Sequence, residues 1–524
     1  MNHLFLYGPP GSGKSTLGRL LAKRLALPLV DLDAEIVKAA GRPISQIFAE
    51  EGEASFRARE LRALEEVSAR PRSLVALGGG ALLADAARAC AERNGTVICL
   101  DCSLEVLLAR IERQPGTRPL VSGGASEAAQ RLTALMERRA AHYASFSRRL
   151  NVSARRPEDL LDEAEALFGA FRIESGDVPS DVVVGAGILE TVGAHALARG
   201  LGRHAVVVAD SNTAPLYAER VAESLRRVGV RVSCTTIPAG EETKTLDTVQ
   251  GIWRAFQEAG LGRSDFAVAV GGGVVGDLTG FASATWMRGM QWINVSTSLL
   301  SMVDASTGGK TGCDLPGAKN MVGAFHSPSV VLADVSTLLS LSAREWRCGL
   351  AEAVKHAFIA DPGLGDQLGL FDGLRSLADE ATFADAVDLS ALSGFVSRAL
   401  AVKVGFVRRD PFEKGDRAKL NLGHTVGHAV EVATDFRVKH GEAVAIGTVE
   451  VARFAVRLGM VPSEWPDQVA AAFASVGLPT DLPRGVTFES LAEIMRRDKK
   501  KKDGKVRFAL PCGWGDVRLN LVEV

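Results

Sequence analysis

A multidomain α/β architecture is expected for this chain: a P-loop parallel-sheet domain, then a Rossmann-like α/β domain, then a mainly α-helical domain. Three observations predict it. A glycine-rich loop separates a short apolar strand from a helix at the start of the sequence. A second alternation of short strands and helical stretches begins near residue 182 and carries a glycine turn of its own. Beyond about residue 336 the strand signals thin out and long Ala/Leu/Val/Glu stretches take over. At 524 residues the chain has room for several domains, each able to bury its own core.

The first pattern opens with a strand at 4–7, the glycine loop and a helix to about residue 25. Short apolar runs follow at 29–30, 74–77 and 97–100, separated by amphipathic stretches, which reads as βαβ units around a parallel sheet. The pattern fades in a helical segment at 157–171, and the polar stretch 174–180 has the composition of a linker. The second pattern starts at 182–184 and continues through 205–209, 230–237, 266–270 and 293–295. A hairpin at 506–510 and 516–521 closes the chain. The expected partition is therefore 1–172, a linker at 173–180, an α/β domain at 181–335 and a mainly helical domain at 336–524.

Bulk composition narrows the function classes. With 47% hydrophobic and 23% charged residues and a net charge of −1, nucleic acid and anionic membranes are poor main partners. Anionic small molecules remain compatible, because a local basic pocket does not show in a net sum. The seven cysteines are scattered. The one CxxC, Cys99 to Cys102, ends an apolar run and reads as a buried strand rather than a redox or zinc pair. Without a disulfide framework, a reducing cytoplasm is expected. The first residues run into the glycine loop with no basic leader, and no apolar run is long enough to span a membrane, so a cytoplasmic protein is expected.

Gly8-Pro9-Pro10-Gly11-Ser12-Gly13-Lys14-Ser15-Thr16 is a full GxxxxGK[ST] loop between a strand and a helix. Its glycines let backbone N–H groups curl around phosphates, Lys14 adds charge, and Ser15 can ligate Mg²⁺. Asp31 and Asp33 end the second strand, where one carboxylate can serve the metal and the other an acceptor hydroxyl. Arg57 and Glu60, Gly78-Gly79-Gly80, Arg118 and Arg138-Arg139 follow. Singly, each arginine reads as a solvated surface residue.

In this order after a P-loop, these residues resemble shikimate kinase over about residues 1–170. The resemblance implies ATP with Mg²⁺, bound by Gly11, Ser12, Gly13, Lys14, Ser15 and Thr16, with Arg110 packed on adenine. It implies Arg118 as the arginine of a lid closing over ATP, and Asp31 as a second Mg²⁺ contact beside Ser15. Shikimate contacts map onto Asp33, Arg57, Gly79, Gly80 and Arg139, with Glu60 supporting Arg57. Two arginines suit a carboxylate substrate through bidentate recognition. Lys14, Asp33 and Arg118 carry the catalytic expectations. The chain departs from the family pattern in Leu32 and in a longer segment ahead of Arg118.

The second half carries a denser constellation. Gly271-Gly272-Gly273-Val274-Val275-Gly276-Asp277 contains a GxGxxG directly after a strand, a turn that lets backbone approach a pyrophosphate. The acid usually expected after such a turn is not evident; Asp210 precedes it instead. Glu352 and Lys355 stand at i,i+3, a spacing more often found in surface salt bridges, but among small apolar neighbours. Three of the nine histidines fall within one short stretch: His424, His428 and His440. His424 and His428, at i and i+4, share a helix face and could ligate one metal. A hydrogen-bonded helix pair is the plainer reading. Glycines flanking both histidines weigh against a plain helix, in which Ala or Leu would serve better. The run Lys499 to Lys502 reads first as a solvated face.

Taken together, these residues resemble 3-dehydroquinate synthase over about residues 175–524. The resemblance implies one Zn²⁺ (or Co²⁺) on Glu352, His424 and His440, so the histidine pair is split and His428 stays beside the substrate. It implies NAD⁺ contacts at Asp210, Asn212, Glu241, Lys244, Gly272, Gly273, Asp277, Thr297, Ser298, Lys310 and Lys319. Substrate contacts map onto Arg288, Asp304, Lys310, Asn320, Lys355, Lys403, Arg417, Asn421, His428 and Lys500, with Lys310, Lys355 and His428 catalytic. Arg288 matches an arginine that reaches phosphate across a dimer interface, which makes a homodimer the expected assembly. The implied whole is a bifunctional cytoplasmic enzyme of aromatic biosynthesis, with small-molecule substrates. Two rivals stay open at this point: a C-terminal half that cyclises another sugar phosphate, and a scaffold in which one half has lost its chemistry.

Overall fold

The computed structural model describes residues 2–112, 125–315, 318–371, 387–497, 501–502 and 505–522. It divides into two compact units, Met1–Arg172 and Ile173–Val524.

In the first unit five strands, β1 (His3–Tyr7), β2 (Leu29–Asp31), β3 (Leu74–Ala76), β4 (Gly95–Asp101) and β5 (Arg149–Asn151), form one sheet in the order β2-β3-β1-β4-β5. All its pairings are parallel. Leu4 and Leu6 enter one apolar cluster with Leu17 and Leu21, while Phe5 and Tyr7 enter another on the opposite face. Both faces are thus covered by helices, as a parallel sheet requires. The helix Leu161–Phe168 ends the expected helical segment early, and Ala170–Ile173 (β6) is a strand.

In the second unit β7 (Ser180–Gly185), β8 (His204–Asp210), β9 (Arg231–Ile237), β10 (Phe266–Gly271) and β11 (Gln291–Ser296) are the strands expected from the alternation. The unit also has β12 (Lys310–Leu315) and β13 (Ala318–Phe325), an antiparallel ribbon, and β14 (Val330–Asp334). The order β7-β14-β11-β10-β8-β9 is parallel throughout. On β8, Ala205, Val207 and Ala209 face one apolar cluster, and Val206 and Val208 face the other.

The helices Ala343–Ile359, Leu389–Arg409, His424–Ala433, His440–Arg457, Trp465–Ser475 and Phe488–Arg497 follow. Strands β15 (Lys501–Lys502), β16 (Lys505–Gly513) and β17 (Asp516–Val522) end the described chain as an antiparallel sheet. The Leu389–Arg409 helix is long and apolar enough to cross a membrane by composition. Its Leu392, Phe395, Val396, Ala399 and Leu400 are packed in the interior of this unit.

Glycines explain how three of these helices approach one another. A Cβ on Gly441 would lie 2.3 Å from the Cys348 carbonyl oxygen, and one on Gly447 would lie 2.2 Å from that of Gly423. The backbones of Ala343–Ile359, His424–Ala433 and His440–Arg457 therefore nearly touch, which brings Glu352, His424 and His440 to one point. The glycines that weaken each helix in isolation are what permit the crossing.

Candidate active sites

In the first unit an open cleft of about 870 Å³ is lined by residues 10–17, Asp31, Asp33, Arg57, Glu60, Gly78, Gly79, Gly80, Arg110 and Arg139. Every expected site residue of this unit within the described chain lines it; Arg118 lies outside the described residues. Lys14 Nζ donates to the carbonyls of Gly8 (2.8 Å) and Pro9 (2.9 Å), which holds the ammonium inside its own loop. Gly13, at φ +99°, caps the Lys14–Leu25 helix, so the positive end of that helix faces the loop. Ser15 Oγ lies 3.5 Å from Asp31 Oδ2, a pair placed to share one cation. Arg110 Nη1 donates to the Ser12 carbonyl at 3.1 Å.

The acceptor side of the cleft is built on the glycine triplet. A Cβ on Gly78 would meet Glu60 Oε1 at 2.9 Å, and one on Gly80 would meet Arg57 Nη2 at 2.5 Å. Arg57 Nη1 is 2.6 Å from Glu60 Oε2. The Gly79 carbonyl accepts from Arg139 Nη1 (2.9 Å) and from the Tyr143 hydroxyl (2.6 Å). Burial, reinforced by the charge of Asp31, raises the Asp33 carboxyl above its ordinary value, with Lys14 and Arg57 opposing. A carboxylate raised in this way is a better proton acceptor. Tyr143 has no place among the sequence expectations; its spacing of four residues from Arg139, on one helix, was the available signal.

In the second unit a cation-competent cluster is formed by Glu352, His424 and His440, whose ligand atoms lie within 4.8 Å of one another. The Glu352 side chain is fully buried, and its Oε1 accepts no hydrogen bond. His424 Nε2 stands 3.4 Å and His440 Nε2 3.7 Å from Glu352 Oε1. His424 Nδ1 is 3.2 Å from the Leu422 carbonyl, which places its proton there. His440 Nδ1 faces Glu431 Oε2 at 3.7 Å. The Leu422 carbonyl thus leaves His424 with an Nε2 lone pair toward Glu352, while His440 stands between two acids, Glu431 on its Nδ1 side and Glu352 on its Nε2 side. Three electron-pair donors converge on one point, which fits a divalent cation. Burial, then the positive charge of Lys355, keeps His424 well below its usual value and hence neutral, as a ligand must be.

Around this cluster each lysine has an acid. Lys355 pairs with Glu352 and donates to the Leu420 carbonyl at 2.7 Å. Lys403 Nζ is 2.6 Å from Asp304 Oδ1, and Lys310 pairs with Glu413. Asn421 Nδ2 donates to Glu413 Oε1 at 2.8 Å. Arg417, 1% exposed, donates from Nη1 to the Gly308 carbonyl at 3.0 Å. The His428 ring lies 5.5 Å from that of His424 and 6.0 Å from that of His440. Burial favours the neutral acid at Asp304, but Lys403 holds it below the usual carboxylate range.

The dinucleotide-side residues gather on the sheet end and the ribbon. Gly272 caps the Gly273–Thr285 helix, and Thr297 N donates to the Gly271 carbonyl at 2.9 Å. Ser298 Oγ would meet a Cβ on Gly272 at 3.2 Å, so glycine leaves this turn open. Lys244 Nζ is 2.6 Å from Asp277 Oδ2 and donates to Asn320 Oδ1 at 2.7 Å. Asp210 Oδ1 accepts from the backbone of Asn212 (2.9 Å) and Thr213 (2.8 Å), which shapes its own loop. Lys319 Nζ lies between Glu241 Oε1 (3.3 Å) and Glu431 Oε1 (3.1 Å).

Arg288 is not brought to this assembly: it is exposed, at φ +67°, beside Met287 at φ +49°. Lys500 lies outside the described residues. Glu413, Glu431 and His356 escaped the sequence reading. Glu413 stands four residues before Arg417, and Glu431 one turn after His428. His356 is fully buried beside Asp304 and Glu352, with Nδ1 3.0 Å from the Ala399 carbonyl. Burial, helped by Lys355, lowers its pKa to about 4.

Fold and sites together define a two-part enzyme: a P-loop phosphotransferase unit and an α/β unit joining a glycine-turn nucleotide site to a metal-competent helical cluster. Comparisons with known proteins agree. The shikimate kinase family model matches residues 10–167, and the N- and C-terminal models of 3-dehydroquinate synthase match 234–348 and 349–501. The chain belongs to the 3-dehydroquinate synthase family and carries a shikimate kinase domain ahead of it. It is 43% identical over 322 residues to the 3-dehydroquinate synthase of Synechococcus sp., covering 61% of this chain and 85% of that one. A solved 2-deoxy-scyllo-inosose synthase, complexed with carbaglucose-6-phosphate, NAD⁺ and Co²⁺, is 25% identical. The match covers 68% of this chain and 96% of that one at a TM-score of 0.60. A 2-epi-5-epi-valiolone synthase from Streptomyces hygroscopicus subsp. jinggangensis, with NAD⁺ and Zn²⁺ bound, is 29% identical. That match covers 66% of this chain and 94% of that one at a TM-score of 0.59.

Proposed function

We propose that the first unit phosphorylates shikimate with ATP·Mg²⁺, and that the second converts 3-deoxy-D-arabino-heptulosonate 7-phosphate to 3-dehydroquinate with release of phosphate. The observation that carries the second assignment is the convergence of Glu352, His424 and His440 amid paired lysines. Identity of 43% to a named 3-dehydroquinate synthase, against 25% and 29% to cyclases of other sugar phosphates, favours this substrate.

In the kinase unit, residues 11–16 hold the phosphates, Ser15 and Asp31 hold Mg²⁺, and Arg110 packs on the base. Arg57, Arg139 and the backbone at Gly79 and Gly80 hold the shikimate carboxylate and hydroxyls. Asp33 accepts the proton of the attacking hydroxyl, and Arg118 closes over the nucleotide.

In the synthase unit, Asp210, Asn212, Glu241, Lys244, Gly272, Gly273, Asp277, Thr297 and Ser298 hold NAD⁺. Glu352, His424 and His440 hold Zn²⁺ or Co²⁺. When bound, the two supply a reversible hydride acceptor and Lewis acidity at the substrate alcohol. Lys310, Lys319, Asn320, Lys403, Arg417, Asn421 and Lys500 bind the polyanionic substrate, for which Lys310, Lys319, Lys403 and Asn421 exchange their present acid partners. Asp304 orients Lys403. Lys355 keeps its place beside Glu352, and His428 moves a proton near the metal. Arg288 reaches the phosphate of a second copy, so the working form is a homodimer. The cytoplasm, with its reducing conditions, suits the unpaired cysteines.

Product identification with purified protein tests this reading. Shikimate plus ATP should yield a phosphorylated shikimate, and heptulosonate phosphate should yield 3-dehydroquinate and inorganic phosphate only when NAD⁺ and a divalent metal are present. Turnover of a different sugar phosphate in preference would overturn the second assignment. Light scattering should give the mass of a dimer.

A further inference from the structure

Glu431 belongs to no expected site, yet it is the buried link between two of them. It lies on the His424–Ala433 helix one turn beyond His428, and its side chain is 3% exposed. One oxygen, Oε2, faces His440 Nδ1 at 3.7 Å and accepts no hydrogen bond. The other, Oε1, is 3.1 Å from Lys319 Nζ, which lies 3.3 Å from Glu241 Oε1 in turn. Lys319 also stands 4.8 Å from the centre of the Phe436 ring, which fixes the ammonium between the two acids. A continuous chain of charge therefore runs Glu241, Lys319, Glu431, His440, Glu352.

We propose that Glu431 is a positioning residue that sets the orientation of the metal ligand His440 and couples metal binding to dinucleotide binding through Lys319. The inference rests on the reading that this unit binds a divalent metal and NAD⁺. A carboxylate facing Nδ1 favours the ring orientation that directs Nε2 at the metal; such outer partners change metal affinity by about 10–100-fold. Lys319 is shared by a metal-side acid and a nucleotide-side acid. A ligand that redistributes charge on either side therefore alters what the other acid receives. By linkage each ligand must then change the affinity of the other by the same factor. A carboxylate that merely filled space would give no such factor.

The test uses the full chain stripped of metal with a chelator. Co²⁺ is titrated by its visible absorption, and NAD⁺ by calorimetry, each with and without the other. In the wild type each ligand should tighten the other. Glu431→Gln, which keeps size and fold, should weaken Co²⁺ by about 10-fold or more, alter the Co²⁺ spectrum and bring the coupling factor close to one. Glu431→Asp, which restores the charge, should recover part of both effects. Lys319→Gln should abolish coupling while leaving the Co²⁺ spectrum unchanged. Wild-type Co²⁺ affinity and coupling in Glu431→Gln would overturn the inference. A wild type that binds neither Co²⁺ nor NAD⁺ would instead overturn the metal and cofactor reading on which it stands.

Discussion

The two sites of this chain are made in opposite ways. The phosphate site of the first unit is contiguous: residues 8–16 fold into a cradle whose donors are mostly backbone, and the nearest strand and helix hold it in place. The metal-side site of the second unit is dispersed. Its charged groups come from the ribbon, from four helices and from the loop before Arg417, and its lysines are paired with acids, Lys355 and Lys403 in the interior and Lys310 and Lys319 nearer the surface. A backbone cradle tolerates surface exposure and depends on local turn geometry. A dispersed charge network depends on helix crossings far from the ligands, so small packing changes reach it.

The largest contrast should appear when one charge of the network is removed. Glu352→Gln takes the only carboxylate from the three converging donors and leaves Lys355 without its acid. Synthase turnover should fall by about a thousand-fold or more, with kinase turnover unchanged. Retention of a tenth of synthase activity would show that Glu352 is not a ligand.

Packing gives the next largest effect. Gly441→Ala puts a methyl group 2.3 Å from the Cys348 carbonyl, between two helix backbones that cannot give way as a side chain would. A loss of about 3 kcal/mol in stability is expected, read as a lower melting temperature, together with weaker metal binding. An unchanged melting temperature would mean the helices cross less tightly.

This packing is also where the sequence was hardest to read. Glycines beside His424 and His428 signalled that the helix was not ordinary, but not that Gly427 and Gly447 are the contact surface itself. Spacing placed His424 and His428 on one helix, as they are. It could not say which nitrogen meets Glu352, because Glu352 lies far upstream and the meeting depends on the crossing. The P-loop was legible because sequence neighbours are also the site. The ribbon β12–β13 was not, because Gly312 and Gly323 occupy strand positions where the partner backbone comes within 2.5 Å and 2.1 Å of a notional Cβ. Strands of three to five residues, such as Arg149–Asn151 and Val330–Asp334, give too few alternations to register.

On the kinase side the effects should be smaller and more local. Tyr143→Phe removes one of the donors that hold the Gly79 carbonyl. Losing about 1 kcal/mol should raise the shikimate KM roughly fivefold with little change in kcat. A fall in kcat alone would place Tyr143 in the chemistry instead. The smallest effect is a displaced pH limb. Burial and Asp31 raise the Asp33 pKa, so Asp33 stays protonated to higher pH than a free aspartate. Since the ionised form accepts the substrate proton, kinase kcat/KM should fall on acidification through a value above about 3.9. A limb at or below that value would remove Asp33 as the base.

Two chemically independent active sites on one chain, one at Lys14 and one at His424, must be separable by single substitutions. The direct measurement assays both reactions on full-length Lys14→Ala and His424→Ala proteins under identical conditions. Lys14→Ala should lose shikimate phosphorylation and keep wild-type synthase turnover, and His424→Ala should do the reverse. Loss of both activities in either correctly folded variant, or retention of the activity its site is assigned, would contradict it.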